Sequence, residues 1–222
     1  MVKVLCLIIG KVRTCPQEMK TCIQSTLHDL EKVNGIETTT IFCTWNDLHL
    51  NKSELEDELR PLIHHFIYFD PLPLDSIAKG SSPYYPIFFH QLILLASELF
   101  SEKYKDIMHY DYVIRIRNDV ECQLRDYSEY FQKDQITLLP TFWGCAGSND
   151  HFEIMPFEAY KKFSLITRND LNQMAVIAKD NEDLHTQLMS QLHSCVVTID
   201  AKDVLKYIVT GKIGRIVYKS DH

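Results

Sequence analysis

Glycine and proline are scarce in this chain of 222 residues, which has seven glycines and eight prolines. So few of either leave little room for flexible linkers, and we expect a single domain over residues 1–222. A compact chain of this size buries a full core without a disulfide or a metal ion to hold it. Its apolar content of 45% and charged content of 24% are near globular averages, which excludes bulk disorder.

The chain also lacks any C-x-x-C spacing among its seven cysteines. Scattered cysteines in an odd number indicate neither a disulfide framework nor a zinc site, and they favour a reducing compartment, so we expect a cytoplasmic protein. No apolar stretch reaches the length of a membrane span. The run from Met1 to Gly10 is too short and has no signal-peptide cleavage site, and His90 and Gln91 interrupt the stretch 86–100. Peripheral membrane association stays open.

Basic residues are outnumbered, with 23 Lys and Arg against 30 Asp and Glu and a formal net charge of −7. That balance argues against broad binding to nucleic acid or to an anionic membrane. A phosphate-bearing ligand therefore needs a local basic pocket or a metal ion. Neither G-x-G-x-x-G nor G-x-x-x-x-G-K-[ST] occurs in the chain, which excludes the dinucleotide fingerprint and the P-loop.

Apolar runs alternate with helical periodicity in the first half of the chain. The order β-α-β-α-β-α-β predicts an α/β fold, with a central, mostly parallel sheet and helices on both faces. We expect a nucleotide-binding half over about residues 1–120 and an acceptor and catalytic half over about residues 121–222. The predicted strands are Val2–Ile9, Ile36–Cys43, Ile63–Phe69, Tyr112–Arg117, Ile136–Leu139, Phe152–Met155 and Cys195–Ile199. The predicted helices begin at Pro16, at a capping box formed by Ser53-Glu54-Leu55-Glu56, at Pro86 and near Tyr127.

Ligands of an open parallel sheet bind beyond the carboxyl ends of its strands. This rule selects residues 10–13, residues 44–46, the loop from Asp70 and residues 117–119. Of these, the segment Gly10-Lys11-Val12-Arg13 either binds base or phosphate or forms a solvated loop.

The strongest local signal is the segment YDYVIRIRNDV at residues 110–120. Strand alternation places Arg115 and Arg117 on one face, where burial is costly unless each guanidinium meets an anion. Asp119 falls just past the strand end. It either holds a hard divalent cation whose octahedron a diphosphate completes, or forms a structural ion pair with an arginine, and the residues alone favour neither.

A second signal is FWGCAGSNDHF at residues 142–152, where small residues let the backbone approach a ligand. Asp150 is a candidate general base for an incoming hydroxyl. A polar turn at Asn149-Asp150 is the alternative, and taken alone this sequence favours the turn by about two to one.

Two weaker signals come from helices. Gln91 lies on an apolar helix, where a buried amide needs a partner, and a structural role is favoured over a ligand contact. Glu182 and His185, at i and i+3, form either a metal-binding pair or part of a solvated face.

Several of these segments recur in the same order in a known family. They are Gly10-x-x-Arg13, Thr44-Trp45, residues 110–119, Asn149-Asp150-His151-Phe152 and Phe157-Glu158-Ala159-Tyr160. The pattern resembles the GT-A-fold nucleotide-sugar glycosyltransferases, and within them the small bacterial and viral enzymes like the WavE-type lipopolysaccharide synthesis proteins. The correspondence runs from residue 2 to about residue 165, and more loosely to about residue 199. The resemblance rests on the order and spacing of these segments rather than on any single motif.

This resemblance implies a UDP-sugar donor, a glycan or saccharide acceptor, and Mn²⁺ or Mg²⁺ bridging the diphosphate and the protein. Asp119 matches the last aspartate of that fold's D-x-D metal motif, whereas Arg117 stands where the first aspartate usually does. Asp150 matches the acceptor-side base, which suggests inversion at the anomeric carbon; a retaining enzyme would not need that base. The residues expected to bind the nucleotide sugar are Gly10, Arg13, Trp45, Gln91, Arg115, Arg117, Asn118 and Asn149.

The favoured hypothesis is therefore a metal-dependent glycosyltransferase of hexosyltransferase type. One alternative is another metal-dependent, nucleotide-using transferase, such as a nucleotidyltransferase. The other is a catalytically inactive module that binds a sugar nucleotide, which the missing first aspartate favours.

Overall fold

The computed structural model describes residues 1–70, 93–99, 109–122, 130–140, 148–178, 181–198, 205–210 and 214–217. The strands are β1 (Lys3–Ile9), β2 (Glu37–Trp45), β3 (His65–Phe69), β4 (Tyr112–Arg117), β5 (Val120–Cys122), β6 (Ile136–Pro140), β7 (Ser148–Pro156), β8 (Val196–Thr198), β9 (Leu205–Thr210) and β10 (Gly214–Val217). The helices are α1 (Pro16–His28), α2 (Lys52–Leu59), α3 (residues 93–99), α4 (Phe157–Lys161), α5 (Arg168–Ile177) and α6 (Asn181–Leu192). A π-helical turn (Asp29–Val33) continues α1, and a 3-10 turn (Lys162–Leu165) follows α4.

Seven strands form one sheet in the order β3-β2-β1-β4-β7-β6-β8, and β10-β9-β5 form a second, smaller sheet. In the large sheet β1 pairs in parallel with β2 and β4, β2 with β3, and β6 with β8. Among the described strands of this large sheet, only β7 runs antiparallel to its neighbours, β4 and β6. The predicted mostly parallel α/β sheet is confirmed, and the bounds of its first four strands differ from the prediction by at most two residues.

Apolar side chains cover both faces of the sheet, because the central strands alternate between two cores. On one face Val4, Cys6 and Ile8 of β1 pack with Met19 and Ile23 of α1. On the other face Leu5, Leu7 and Ile9 share a core with residues of α3, α5 and α6. Helices on both faces, as predicted, follow from this continuous apolar strand.

Local details differ from the predictions at two places. The cap of α2 is Asn51 and not the predicted box at Ser53, because the Asn51 side chain accepts a hydrogen bond from the backbone N–H of Glu54. Asp150 lies inside β7 rather than at its start, so the backbone there is a strand and the polar-turn alternative is wrong. The predicted helix near Tyr127 and the predicted helix start at Pro86 lie outside the described residues. No helix in the described ranges has the length and apolarity needed to cross a bilayer.

Candidate functional site

The carboxyl ends of β3, β2, β1 and β4 lie side by side along one edge of the large sheet. Pairing of Ile9 with both Cys43 and Arg117 sets the register of the three central strands. The backbone N–H of Gly10 donates to the carbonyl of Cys43 over 3.3 Å, and that of Asn118 donates to the carbonyl of Ile9 over 3.3 Å. The structure thus brings together the segments after β1, β2 and β4 that the sequence selected, at the edge where parallel sheets bind ligands.

Gly10 and Asn118 are in direct contact at this edge. The side-chain amide of Asn118 is buried and donates to the Gly10 carbonyl over 3.2 Å. Gly10 has a φ of +154°, and a Cβ there would lie 2.8 Å from Oδ1 of Asn118. Only glycine accommodates both the backbone angle and the close amide. The two residues therefore join the ends of β1 and β4.

Arg117 and Asp119 form a bidentate ion pair just past β4. Nε of Arg117 donates to Oδ1 of Asp119 over 2.8 Å, and Nη2 donates to Oδ2 over 2.5 Å. The Asp119 side chain is 4% exposed and that of Arg117 is 19% exposed. Of the two interpretations left open by the sequence, the Arg–Asp pair is the one present in the structure. Such a fork-to-fork pair fixes the plane of the guanidinium.

The donor set at Asp119 does not fit a divalent cation as it stands. Both carboxylate oxygens already accept hydrogen bonds from Arg117, and Mg²⁺ or Mn²⁺ would need those oxygens as ligands. Among the described residues, no group of three or more His, Cys, Asp or Glu side chains is arranged to hold a metal ion. A cation that used the remaining lone pairs of Asp119 would lie beside the positively charged guanidinium of Arg117, which opposes its binding.

Arg115 meets its anion inside the sheet. Its guanidinium pairs with Glu153 of β7, and Nε2 of His185 on α6 pairs with the same carboxylate oxygen. All three side chains are at most 1% exposed. Burial by itself raises the pKa of Glu153, but the charges of Arg115 and His185 outweigh burial and lower that pKa to about 2. This buried charge cluster, Arg115–Glu153–His185, joins β4, β7 and α6.

Glu153 was not among the residues predicted from the sequence, and it changes the interpretation of His185. Its signal was present, since a lone carboxylate follows Phe152 in an apolar strand and needs a buried partner. Because His185 is buried against Glu153, it belongs neither to a solvated face nor to a metal-binding group among the described residues. The side chain of its predicted partner Glu182 lies outside the described part of the chain.

The backbone of Asn149 and Asp150 approaches the same edge of the sheet. β7 runs antiparallel to β4 with Ile116 opposite Phe152, so the residues that precede Phe152 lie toward the carboxyl end of β4. Asn149 itself pairs with Leu139 of β6. The side chains of Asn149 and Asp150 are outside the described part of the structure, and their roles stay predictions.

Two other predicted binding residues, Arg13 and Trp45, are described in the structure. Arg13 is exposed in the loop after β1, whereas Trp45 is buried at the end of β2. Lys11 forms an exposed ion pair with Asp47 over 2.9 Å. Gln91 lies outside the described residues.

No protein-family model matches this chain, and no curated protein matches it in sequence. The resemblance to WavE-type enzymes therefore stays a prediction. Similarity to known proteins is found in three dimensions instead.

The galactosyltransferase LgtC, solved with donor and acceptor sugar analogues, is similar with a TM-score of 0.52 at 11% identity, over 90% of this chain and 74% of LgtC. An active-site mutant of LgtC gives a TM-score of 0.51 at 11% identity, again over 90% and 74%. The glycosyltransferase GlyE of Streptococcus pneumoniae gives 0.50 at 10% identity, over 91% of this chain and 46% of GlyE. The chain thus spans about half the length of GlyE. Together with the sheet order and the helices on both faces, these similarities show that this chain has the GT-A-type fold of nucleotide-sugar glycosyltransferases.

Proposed function

We propose that this chain is a glycosyltransferase that moves a sugar from a nucleotide-diphosphate sugar, a UDP-sugar, to a hydroxyl group of a glycan or saccharide. One observation carries the proposal: at a single edge of a GT-A-type sheet, the Arg117–Asp119 pair lies beside the strand that carries Asp150. A fixed cationic group suits a leaving diphosphate, and a carboxylate suits an acceptor hydroxyl. The exposed Arg13 adds positive charge in the loop after the adjacent strand.

In the proposed reaction the acceptor oxygen bonds to the anomeric carbon while the bond from that carbon to the diphosphate oxygen breaks. The hydroxyl proton passes to the carboxylate of Asp150, and the electron pair of the broken bond leaves with the nucleoside diphosphate. Arg117 stabilises the negative charge that grows on the diphosphate as the bond breaks. Direct displacement inverts the configuration at the anomeric carbon.

The divalent ion, Mn²⁺ or Mg²⁺, stays a prediction from the sequence resemblance. Asp119 is the residue expected to hold it, and that carboxylate is engaged by Arg117. No step of the proposed reaction passes through an ion.

The test is to incubate the protein with a panel of nucleotide sugars and saccharide acceptors, and to measure both released nucleotide and glycosylated product. We expect nucleoside diphosphate and product in equal amounts, with the inverted anomer by NMR. A nucleotidyltransferase would instead release pyrophosphate when given a nucleoside triphosphate and a sugar phosphate. That result would contradict the proposal.

An inactive module that binds a sugar nucleotide is the second candidate, because Arg117 replaces an expected aspartate and engages the other one. Such a protein would bind nucleotide sugars without turnover. Thermal unfolding detects binding in both cases, since a ligand at a hundred times its Kd stabilises the folded state by about 2.7 kcal/mol whether or not it reacts, and the measurement of product then separates an enzyme from a module. Stabilisation by a donor with no product would support the module.

A further inference from the structure

We propose that Arg117 takes the place of a divalent cation at the donor diphosphate, and that Asp119 positions Arg117 instead of holding a metal ion. The inference rests on the proposed function. It concerns how the donor is bound, and it predicts that binding of the diphosphate is independent of Mn²⁺ and Mg²⁺.

The first argument is the geometry of the pair. Asp119 offers its two carboxylate oxygens to Nε and Nη2 of Arg117 at 2.8 and 2.5 Å. An ion that bound this carboxylate would either break these two charge-assisted hydrogen bonds or share the carboxylate with Arg117. It would also leave the guanidinium, whose side chain is only 19% exposed, beside another cation.

The second argument is charge. A divalent cation held by a pair of carboxylates is formally neutral, and so is an arginine paired with one carboxylate. If Arg117 stands in place of an aspartate and no ion is bound, the net charge of the edge is therefore the same as with two aspartates and a divalent ion. A guanidinium is permanently charged, and its planar fork of N–H groups matches the geometry of phosphate oxygens.

The third argument is position and accessibility. Arg117 is the last residue of β4, and its partner across the sheet, Ile9, ends β1. Asp119 is nearly closed to solvent while Arg117 is the more exposed member of the pair. A ligand that arrives at the carboxyl edge thus meets the guanidinium before the carboxylate. Asp119 acts on the ligand through Arg117, as a positioning residue.

The test measures binding of UDP by calorimetry, in excess EDTA and in saturating Mn²⁺. GDP, CDP and ADP are run in parallel in case the base differs. For the native protein we expect the Kd to change by less than about twofold between the two conditions. A Kd that depends on Mn²⁺ by about tenfold or more would overturn the inference and leave the proposed function intact.

Variants give the matched comparison. Arg117→Ala should weaken UDP binding in EDTA by about tenfold or more, and Arg117→Lys should weaken it less because the charge remains. Arg60→Ala is the control, since Arg60 is an exposed arginine paired with Glu56 at the end of α2, and it precedes the start of β3 whereas this edge is where β3 ends. Native-like UDP affinity of Arg117→Ala in EDTA would overturn the inference.

A third readout needs no nucleotide. Arg117→Asp removes the competing guanidinium and places a second carboxylate next to Asp119, so this variant should bind Mn²⁺ by itself, as seen in the EPR signal of free Mn²⁺. The native protein should leave that signal unchanged. Mn²⁺ binding by the native protein that Asp119→Asn abolishes would overturn the inference. If the native protein binds none of the four diphosphates in either condition, the proposed function and this inference both fail.

Discussion

A methyl group on Gly10 would come within 2.8 Å of the side-chain oxygen of Asn118, in a backbone conformation at φ +154° that other residues rarely adopt. We therefore predict that Gly10→Ala destabilises the fold by about 1–3 kcal/mol. Gly35→Ala is the matched control, since Gly35 also has a positive φ but nothing lies within 4 Å of the place that a Cβ would occupy. Urea denaturation measures both. Equal losses for the two variants would show that Asn118 contributes nothing to the effect.

The contact itself is tested by combining Gly10→Ala with Asn118→Ala. Residues in contact give non-additive changes in the free energy of unfolding, often of about 0.5–3 kcal/mol. We expect Gly10→Ala to cost less in the Asn118→Ala background, because the clash with Oδ1 is absent there. Strict additivity would contradict the close approach.

The buried charge cluster gives a second prediction. Glu153→Gln should destabilise the protein by about 3–5 kcal/mol, because Arg115 would stay buried without its counter-charge. The control is Glu158→Gln, which breaks an exposed pair with Lys161 and should cost less than about 1 kcal/mol. Similar losses for both variants, measured by urea denaturation, would contradict a buried ionic role for Glu153.

The same carboxylate predicts how stability depends on pH. Its pKa is lowered from 4.5 to about 2 in the folded protein. A carboxylate with a lowered pKa stabilises the fold fully above its unfolded pKa, and that contribution is lost as pH falls toward the folded pKa. The stability gap between native protein and Glu153→Gln should therefore be constant above about pH 5 and shrink by up to about 3 kcal/mol toward pH 2. A gap of equal size at both ends would contradict the ionised pair.

Thr26 gives a prediction about the junction of α1 and β5. Its buried hydroxyl donates to the Cys22 carbonyl over 3.0 Å and accepts from the backbone N–H of Cys122 over 3.1 Å. Thr26→Val keeps the shape but leaves that N–H without its acceptor, so we expect a loss of about 1–3 kcal/mol. Thr21→Val is the control, because the exposed Thr21 makes the equivalent bond to the Gln17 carbonyl on the solvent side of the same helix. It should change stability by less than about 0.5 kcal/mol.

Asp150→Asn separates donor binding from chemistry. The amide keeps the shape of the side chain but accepts no proton, and a positioned base typically contributes about 10²–10⁴ to a rate. Transfer should fall by that factor while donor Kd changes by less than about threefold. Asp57→Asn, on α2, is the control. Native-like transfer by Asp150→Asn would remove this residue from the mechanism.

The parallel part of the fold was predictable because each central strand is apolar on both faces. The run from Val4 to Ile9 admits few other structures, and Pro16 marks the first residue of α1 as expected. The cap of α2 was placed wrongly because Asn51 and Ser53 both suit a cap, and only the backbone angles decide between them. Local sequence contains no information on those angles.

The site was predictable only in part, for a related reason. Alternation along β4 placed Arg115 and Arg117 on one face and required an anion for each, and each has one in the structure. It did not say which anion, because Glu153 is 38 residues from Arg115 in the chain and becomes its neighbour only through the β4–β7 pairing. His185, a further 32 residues on, is brought in by the packing of α6. Contacts between residues so far apart in the chain depend on the topology of the fold, which the spacing of residues within one strand or helix does not encode.

That separation in the chain has a kinetic consequence. Arg115, Glu153 and His185 reach one another only after β4, β7 and α6 have all assembled, and a guanidinium that lost water earlier would lack its counter-ion. The cluster should therefore close after the rate-limiting step of folding. Substitutions in it would then accelerate unfolding and leave the refolding rate nearly unchanged. We therefore expect these three side chains to determine how long the assembled protein stays folded.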